Sequence, residues 1–472
     1  MSGYKNLIKN VGLLTLSNFA TKLLSFFLVP LYTSVLTTGE YGTYDLFNTT
    51  VSLLVPLLTI DIQEAVLRFS MDKDAKHGEI FSIGCLFSMY SCLIVFCGLI
   101  INQVLNFSVV LQQFSLEFML LYVLSAFSGV ILYFARGAGY IAELSVSGVI
   151  SSVVMISCNI VFLLVFKIGL HGYFYASILG YTAQCSYLLL KTRAYKYTKL
   201  KIKNVSLKKE MTEYSSPMVA NAISWWINNA SDRYIVTWMC NLSVTGIYSV
   251  SYKIPSIMSI LQGIFSQAWT LSATKEFDSE DKEGFFINIY NVYNFLLILA
   301  CSGLIFLDKP IAKILFAKDF YKAWEYAPFL MISTIFSGMA GFLGGILSAL
   351  KQSKLFAKSS VITAIVNTVL NVVLVCFIGP IGAAISTAIA YFMMWYIRYF
   401  QIRKSISLRV NLRRDMIAYF ILIVQTLLLL TVNKERIFCW YEIVFMLIII
   451  LLFKNEMRIM CGKVNAKIFG RK

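Results

Sequence analysis

Apolar stretches long enough to cross a lipid bilayer as helices recur from one end of the chain to the other. A spanning helix needs about 20 mainly apolar residues, and the pattern predicts about fourteen such helices. They are expected near residues 11–36, 44–67, 80–101, 118–134, 145–166, 172–190, 214–239, 246–271, 285–307, 326–350, 356–378, 380–397, 416–432 and 437–453. The predicted fold class is therefore an all-α polytopic membrane protein.

Composition agrees with this pattern. The 472 residues are 58% hydrophobic and only 14% charged, and the mean hydropathy is +0.73. Soluble domains contain about 25% charged residues. Because the apolar stretches continue along the whole chain, a soluble enzyme with a single anchor is excluded.

The net charge of +17 does not require a nucleic-acid partner. With a cytoplasmic N-terminus, most lysines and arginines fall in cytoplasmic loops and tails, and the loop 190–210 is especially basic. That asymmetry is the positive-inside rule. We expect a multi-pass protein with both termini in the cytoplasm.

An internal repeat predicts two related halves. Gly169 and Gly172 recur as Gly379 and Gly382, and Asn159 upstream recurs as Asn371. Two six-helix halves enter the membrane in the same sense, so a pseudo-twofold axis along the membrane normal would relate them. The predicted domains are a six-helix bundle over 1–192, a basic cytoplasmic linker over 193–212, a second six-helix bundle over 213–404, and two additional helices with a basic cytoplasmic tail over 405–472.

Proline placement supports two related halves. We expect Pro30 and Pro56 to interrupt the first two helices, and Pro217 and Pro255 to interrupt the first two of the second half. Proline removes an intrahelical hydrogen bond and bends a helix. Interruptions in both halves of a transporter mark a binding site, although kinks that serve packing alone produce the same pattern.

Polar residues lie inside the seventh predicted span. Asn221, Trp225, Asn228 and Asp232 follow steps of four, three and four, so they share one helix face, and Asn229 lies beside them. We expect this face to border a polar interior. Trp225 could stack on sugars or belong to the aromatic belt at the membrane interface.

Charged side chains also lie within or at the ends of the spans. The cations are Lys22, which shares a polar stripe with Asn18, together with Arg68, Arg233 and Lys253. The carboxylates are Asp61, Glu64 and Asp232, and Glu64 and Arg68 have the spacing of an i,i+4 pair. Cations in excess would suit an anionic group such as a diphosphate. Structural salt bridges and snorkelling of Lys22 to the interface are the alternatives.

Templates for catalysis and for metal binding are missing from the sequence. The only two histidines, His77 and His171, lie far apart, and no Cys-x-x-Cys or Walker A sequence occurs. We therefore expect a transporter with no catalytic residue, no metal and no cofactor. A proton or a sodium ion could drive it, with Asp61, Glu64 or Asp232 as the acceptor or as charge balance.

Several local patterns resemble the oligosaccharide flippases of the polysaccharide-transporter family, in the multidrug/oligosaccharidyl-lipid/polysaccharide exporter superfamily. They are Pro30-Leu-Tyr, Glu40-Tyr-Gly-Thr-Tyr44, Glu64-Ala-Val-Leu-Arg68-Phe, Ser224-Trp-Trp-Ile-Asn-Asn-Ala-Ser-Asp-Arg-Tyr234 and Gly246-Ile-Tyr-Ser-Val-Ser-Tyr-Lys253-Ile-Pro255. The resemblance implies two six-helix bundles around a central cavity that opens alternately to either side.

It further implies movement of an undecaprenyl-diphosphate-linked oligosaccharide, such as an O-antigen or capsule unit, across a bacterial cytoplasmic membrane. The diphosphate would bind Lys22, Arg68, Arg233 and Lys253, and a polysaccharide polymerase or chain-length regulator would be a partner. Two alternatives stay open. One is a cation-coupled multidrug exporter of the same superfamily, and the other is a membrane polysaccharide polymerase.

Overall fold

A computed structural model describes residues 26–72, 74–196, 204–275, 284–350, 352–406, 408, 410–432 and 435–458. The regular elements in these ranges are helices, which confirms the all-α prediction. Contacts divide the chain into two compact units, Met1–Tyr234 and Ile235–Lys472. This division does not separate the predicted linker 193–212, so the predicted domain ranges stay a prediction.

The first unit contains eight complete helices and most of a ninth in its described residues. They are α1 Val29–Val35, α2 Thr38–Leu58, α3 Ile62–Ser70, α4 His77–Leu105, α5 Val109–Gln113, α6 Ser115–Gly137, α7 Ile141–Ile160, α8 Gly169–Thr192 and α9 Val205–Met239. A π-helical turn, Val161–Val165, extends α7, and a short 3-10 turn, Ala194–Lys196, follows α8. The last residues of α9 belong to the second unit.

The second unit contains nine further helices in the part of the chain that the structure describes. They are α10 Leu242–Ser251, α11 Pro255–Lys275, α12 Phe285–Phe306, α13 Asp308–Leu315, α14 Ala327–Ala349, α15 Ser353–Ile378, α16 Pro380–Ile402, α17 Leu412–Thr431 and α18 Glu435–Leu452. A 3-10 segment, Lys318–Glu325, connects α13 to α14.

Every apolar stretch predicted from the sequence overlaps a helix, although most of the first one lies outside the described residues. Eight of the described helices are long and apolar enough to cross a membrane. A ninth span results if α2 and α3, which meet at 64°, are taken as one broken helix. Four other predicted spans correspond to α8, α9, α10–α11 and α18. These helices are too short or not apolar enough to be identified as membrane-spanning from length and composition. The chain is a multi-pass membrane protein.

The break between α2 and α3 follows Pro56. Ile60 and Asp61 both have left-handed backbone conformations, with φ of 54° and 48°. Left-handed φ is rare for a residue with a side chain, and for a β-branched residue such as Ile60 it is an outlier. Ile62, Ala65 and Val66 are fully buried beyond the break. Their burial fixes the direction in which α3 leaves the bend.

The second half is interrupted at a different place. Residues 252–254 form a turn between α10 and α11, and Pro255 is the first residue of α11. That position suits proline, because the first N–H of a helix has no intrahelical partner. By contrast, Pro217 lies inside the continuous helix α9. The expected interruption at Pro217 is therefore wrong, since the 35-residue helix continues through it.

The first of the repeated glycines has a positive φ angle in both halves. Gly169 begins α8 with φ of 55°, and Gly379 precedes α16 with φ of 67°. A Cβ on Gly172 would lie 2.8 Å from the Phe162 Cβ, and one on Gly382 would lie 2.4 Å from the Leu374 carbonyl oxygen. Glycine is therefore required at both places, where each helix approaches the one before it.

The repeated asparagines are equivalent too. Asn159 donates to the Met155 carbonyl at 2.9 Å, and Asn371 donates to the Asn367 carbonyl at 3.0 Å. Both side chains are buried, and both amide oxygens lack a partner in the described structure. The sequence match at these positions thus reflects a repeated structural unit.

Candidate functional site

Arg233 on α9 forms an ion pair with Asp45 on α2, within the first unit. The distance between Arg233 Nε and Asp45 Oδ2 is 2.7 Å. Arg233 Nη1 donates to the Asn229 carbonyl at 2.8 Å and lies 3.6 Å from Asp232 Oδ1. Only 14% of the Arg233 side chain and 22% of the Asp45 side chain are exposed. The pair is therefore largely shielded from water, where an ion pair is stronger than at a surface.

A capping box begins α2, and Asp45 follows in the third turn of this helix. The Thr37 hydroxyl accepts from the Glu40 N–H at 3.2 Å, and Glu40 Oε2 accepts from the Thr37 N–H at 2.8 Å. These two bonds satisfy N–H groups that the first turn of a helix leaves without partners. The Tyr-Gly-Thr-Tyr segment recognised in the sequence follows directly and leads into Asp45.

Tyrosines surround the first turns of α2. The rings of Tyr32 and Tyr41 stack with centroids 5.0 Å apart, and the Tyr44 ring lies 4.2 Å from that of Tyr173 on α8. The Tyr44 hydroxyl forms a 2.6 Å hydrogen bond with Ser177. Aromatic rings with hydroxyl groups pack tightly while they keep a polar group available inside a membrane protein. Asp45 thus lies beside a polar aromatic cluster.

A second set of contacts joins α2 to α9 one turn further along. Trp226 Nε1 donates to the Thr49 carbonyl at 2.8 Å, and the Tyr234 hydroxyl forms a short hydrogen bond with Thr50. The Trp226 and Tyr234 ring centroids are 5.5 Å apart. Together with the ion pair, these bonds fix the register between the two helices.

Carboxylates lie beside the guanidinium at this site. Arg233 faces two of them, Asp45 and Asp232, within 4.0 Å. Asp232 is buried, with 3% of its side chain exposed. An anion that binds the guanidinium would therefore compete with these carboxylates.

The predicted polar face of α9 divides into two parts. Asn221 and Trp225 are exposed, whereas Asn228 and Asp232 are buried. The Asn228 amide donates to the Ser224 carbonyl at 2.9 Å, and the exposed Asn229 donates to the Trp225 carbonyl at 2.7 Å. The face is therefore open near Trp225 and packed near Asp232.

Lys253 lies in the turn between α10 and α11, in the second unit. The sequence predicts this residue inside the eighth span, two residues before the interruption expected at Pro255, and the structure places it in the turn that precedes Pro255. Its N–H donates to the Val250 carbonyl at 2.9 Å, and the side chain is half-buried. Irregular backbone at membrane depth is tolerated where protein or water surrounds it.

Two predicted carboxylates, Asp61 and Glu64, lie at the break after α2 and in the first turn of α3. Asp61 is buried and accepts from the Gln63 amide at 3.1 Å. Glu64 lies near Asp61, Tyr133 and Arg136. Arg68 does not pair with Glu64. It pairs instead with Asp72 at 2.5 Å, and about half of each side chain is exposed.

Lys22 and Asn18 lie outside the described residues, so their predicted roles stay predictions. Three charged positions were not singled out from the sequence. Asp45 directly follows the recognised tyrosine motif, and its place inside a predicted span was the available signal. The buried Arg398 on α16 and the buried Glu442 on α18 were detectable in the same way, as single charges within apolar helices.

Two solved membrane transporters share this fold. One is the lipid II flippase MurJ in an inward closed conformation, with a TM-score of 0.66, 15% identity, and coverage of 96% of this chain and 99% of that chain. The other is an inward-facing multidrug resistance MATE family transporter of the MOP superfamily, with a TM-score of 0.67, 13% identity, and coverage of 82% and 94%. At these identities the likeness concerns the fold.

A curated relative comes from Haloferax volcanii and is named probable low-salt glycan biosynthesis flippase Agl15. It is 26% identical over 199 residues, which are 41% of this chain and 42% of the relative. The match therefore spans less than half of either protein. The family model described as polysaccharide biosynthesis protein matches residues 7–270, which is more than half of the chain. The chain belongs to the polysaccharide biosynthesis protein family.

Proposed function

We propose that the chain is a flippase that moves a lipid-linked oligosaccharide from the inner to the outer leaflet of a cytoplasmic membrane by alternating access. Membership of the polysaccharide biosynthesis family, a relative named as a glycan flippase, and a transporter fold support this proposal. The lipid tail would stay in the bilayer while the diphosphate and the sugars pass through the protein. The proposed activity is transport without covalent chemistry.

The observation that carries the proposal is a largely buried guanidinium on α9 that forms an ion pair with a carboxylate on α2. The planar fork of Arg233 binds Asp45 in the described state. The same fork fits a phosphate oxygen pair, and charge-assisted bonds to phosphate are comparably strong. We propose that the substrate diphosphate displaces Asp45 from Arg233.

Displacement requires a change of charge. Because Asp45 and Asp232 both lie near the guanidinium, the diphosphate would meet repulsion unless one carboxylate is neutralised or separated. Proton or sodium-ion binding at Asp232, Asp61 or Glu64 would supply that change. The coupling ion therefore belongs to this proposal as a proton or a sodium ion.

The remaining predicted residues have subsidiary roles. Lys22, Lys253 and the exposed Arg68 would hold the diphosphate at other stages of transport. Asn18, Asn221, Asn228 and Asn229, with Trp225, would contact the sugars. The exposed indole of Trp225 suits stacking on a sugar face.

The proposed setting is a bacterial cytoplasmic membrane with both termini in the cytoplasm, and the proposed carrier lipid is undecaprenyl diphosphate. The glycan would be an O-antigen, a capsule unit or a similar repeat. Polysaccharide polymerases or chain-length regulators would receive the product at the outer surface.

One observation favours a second function, a cation-coupled multidrug exporter. Two carboxylates lie within 4.0 Å of the Arg233 guanidinium, and carboxylates would attract a cationic drug. The two functions predict different phenotypes on deletion. A drug exporter leaves lipid-linked glycans unchanged and increases sensitivity to cationic drugs.

The deciding experiment deletes the gene and identifies the lipid-linked glycans in the membrane. The proposal predicts that one glycan accumulates with its head group inaccessible from outside, and that wild-type protein reverses this. Complementation with Arg233→Ala should fail although the variant is inserted and folded. Normal surface glycan in the deletion strain, together with drug sensitivity, would reject the flippase.

A further inference from the structure

A carboxyl group lies deep inside the second unit, where α12, α17 and α18 meet. Glu442 on α18 is fully buried, and its Oε2 accepts from Gln425 Nε2 on α17 at 2.6 Å. The same amide nitrogen lies 2.9 Å from Ser302 Oγ on α12. We refer to Glu442, Gln425 and Ser302 as the Glu442 site.

The Glu442 site contains acceptors without partners. Glu442 Oε1 and Gln425 Oε1 are both buried and have no hydrogen-bond partner in the described structure. Within those residues, no lysine or arginine forms an ion pair with Glu442. A buried, unpaired carboxylate is so costly that the group takes up a proton instead.

The neighbours of Glu442 supply no compensating charge. The titratable group facing it from α12 is the buried thiol of Cys301, and from α17 it faces the neutral amide of Gln425. An amide can present either its NH2 group or its oxygen. Gln425 can therefore donate to an ionised Glu442 and accept from a protonated one.

The opposite end of the same helices holds carboxyl groups that pair with a cation. Arg414 on α17 pairs with Glu456, just beyond α18, at 2.6 Å and with Asp415 at 3.0 Å, and it donates to Asn291 on α12 at 2.8 Å. This cluster already joins α17 and the end of α18 to α12. Among the described residues, Glu442 has no such cation. Holding α17 and α18 against α12 therefore does not explain why position 442 is an acid.

We propose that the Glu442 site is an intramembrane proton-binding site whose loading and release are coupled to transport. This inference rests on the proposed function and adds Glu442 to the carboxyl groups at which a driving proton would bind. Glu442→Gln could keep the hydrogen bond to Gln425. Only the acid can take up and release a proton, so proton exchange is the property that distinguishes glutamate from glutamine at this position. Release requires water or a cation at the site, so it requires α12, α17 and α18 to separate.

The test uses the full-length protein and needs no glycan. Infrared spectra of wild-type protein and Glu442→Gln in nanodiscs are recorded across a pH series. A protonated carboxylic acid has a carbonyl stretch that a carboxylate lacks. We expect the difference spectrum between wild type and Glu442→Gln to contain an acid band that disappears at alkaline pH. Protonated carboxyl groups elsewhere, such as the buried Asp308, cancel in this difference. Glu456→Gln is the matched control, because its carboxyl pairs with Arg414, and this variant should keep the band.

The same variants are then compared for glycan export in the deletion strain. Glu442→Gln should reach the membrane at wild-type level and lose the part of export that depends on the pH gradient, and Glu442→Asp should restore part of it.

A missing acid band, or wild-type export by Glu442→Gln, overturns the proton site while the flippase stands. Loss of the band on addition of sodium chloride at constant pH also overturns it, since the site then takes sodium. A titrating band in a chain that exports no glycan rejects the flippase instead.

Discussion

Arg233 Nε lies 2.7 Å from Asp45 Oδ2, and this ion pair connects two helices that are far apart in the sequence. The arginine is the charged residue that the sequence identifies most clearly in a predicted span, and its main partner follows the tyrosine motif at the start of α2. In the described state the guanidinium is therefore occupied. Substrate binding at Arg233 becomes an exchange of one anion for another.

The pair should stabilise the first unit measurably. We predict that Asp45→Asn or Arg233→Gln alone lowers the free energy of unfolding by about 1–3 kcal/mol, because each leaves a largely buried charge without its partner. The double variant should lose less free energy of unfolding than the two single variants lose together, and the difference should be roughly 0.5–3 kcal/mol. Unfolding in detergent measures all four proteins.

The control is the exposed pair formed by Arg68 and Asp72. Arg68→Gln should leave stability unchanged within error, because solvent screens this pair. Equal effects at Arg233 and Arg68, or additive effects of the two variants at the buried pair, would show that the Arg233–Asp45 contact does not stabilise the fold.

Arg398 leads to a prediction about packing in the second unit. Its guanidinium is buried and bonds to neutral groups, the Ala340 carbonyl at 2.8 Å and the Ser359 and Ser360 hydroxyls at 3.0 and 2.9 Å. A Cβ on Gly344 would lie 2.9 Å from Arg398 Nη1 and 2.8 Å from the Phe356 ring. Gly344→Ala should therefore lower stability by about 1–3 kcal/mol.

The same helix offers a matched control for this change. A Cβ added to Gly341, also on α14, would have no described atom within 4 Å. Gly341→Ala should be neutral or should stabilise the protein by up to about 1 kcal/mol, as alanine favours a helix. Thermal unfolding of the two variants distinguishes crowding at Gly344 from a general effect of alanine, and equal shifts would contradict the packing account.

Asp308, at the start of α13, gives a prediction about pH. The carboxyl is fully buried and both oxygens lack a described partner, and this burial raises the pKa of Asp308 well above its usual range, against a smaller opposing effect of Lys309. The folded state therefore holds the proton more tightly than the unfolded state, whose pKa is about 3.9. Stability is greatest below that value and falls as pH rises through the folded pKa.

Asp308→Asn should remove this loss. We expect its melting temperature to exceed that of the wild type at neutral and alkaline pH, and the difference to shrink as the pH is lowered. Asp319→Asn removes an exposed carboxylate from the 3-10 segment that follows α13 and should follow the wild-type curve. Parallel curves for wild type and Asp308→Asn would contradict the assignment.

The helical fold was predictable from the sequence because hydropathy and membrane thickness determine it. The similarity between the repeated positions was also predictable, since a positive φ recurs at the first of the repeated glycines and burial recurs at the repeated asparagines. Pro217 was misjudged, because neighbouring packing lets a helix continue through a proline. The Asp45 partner of Arg233 was missed because ion pairs between distant helices leave no periodic signal, and the position of Lys253 depends on a turn that hydropathy does not record.

The most direct test of flippase activity reconstitutes the purified chain in liposomes that contain undecaprenyl-diphosphate-linked oligosaccharide, and it measures how much glycan becomes accessible to an external glycosidase. We predict faster exposure with wild-type protein than in protein-free liposomes, and exposure at the protein-free rate with Arg233→Ala. Lys209→Gln, which alters only an exposed ion pair with Glu213 on the same helix, should insert and transport as the wild type does, and it serves as the control. Exposure at the protein-free rate with wild-type protein, or wild-type exposure with Arg233→Ala, would contradict transport through an Arg233 site.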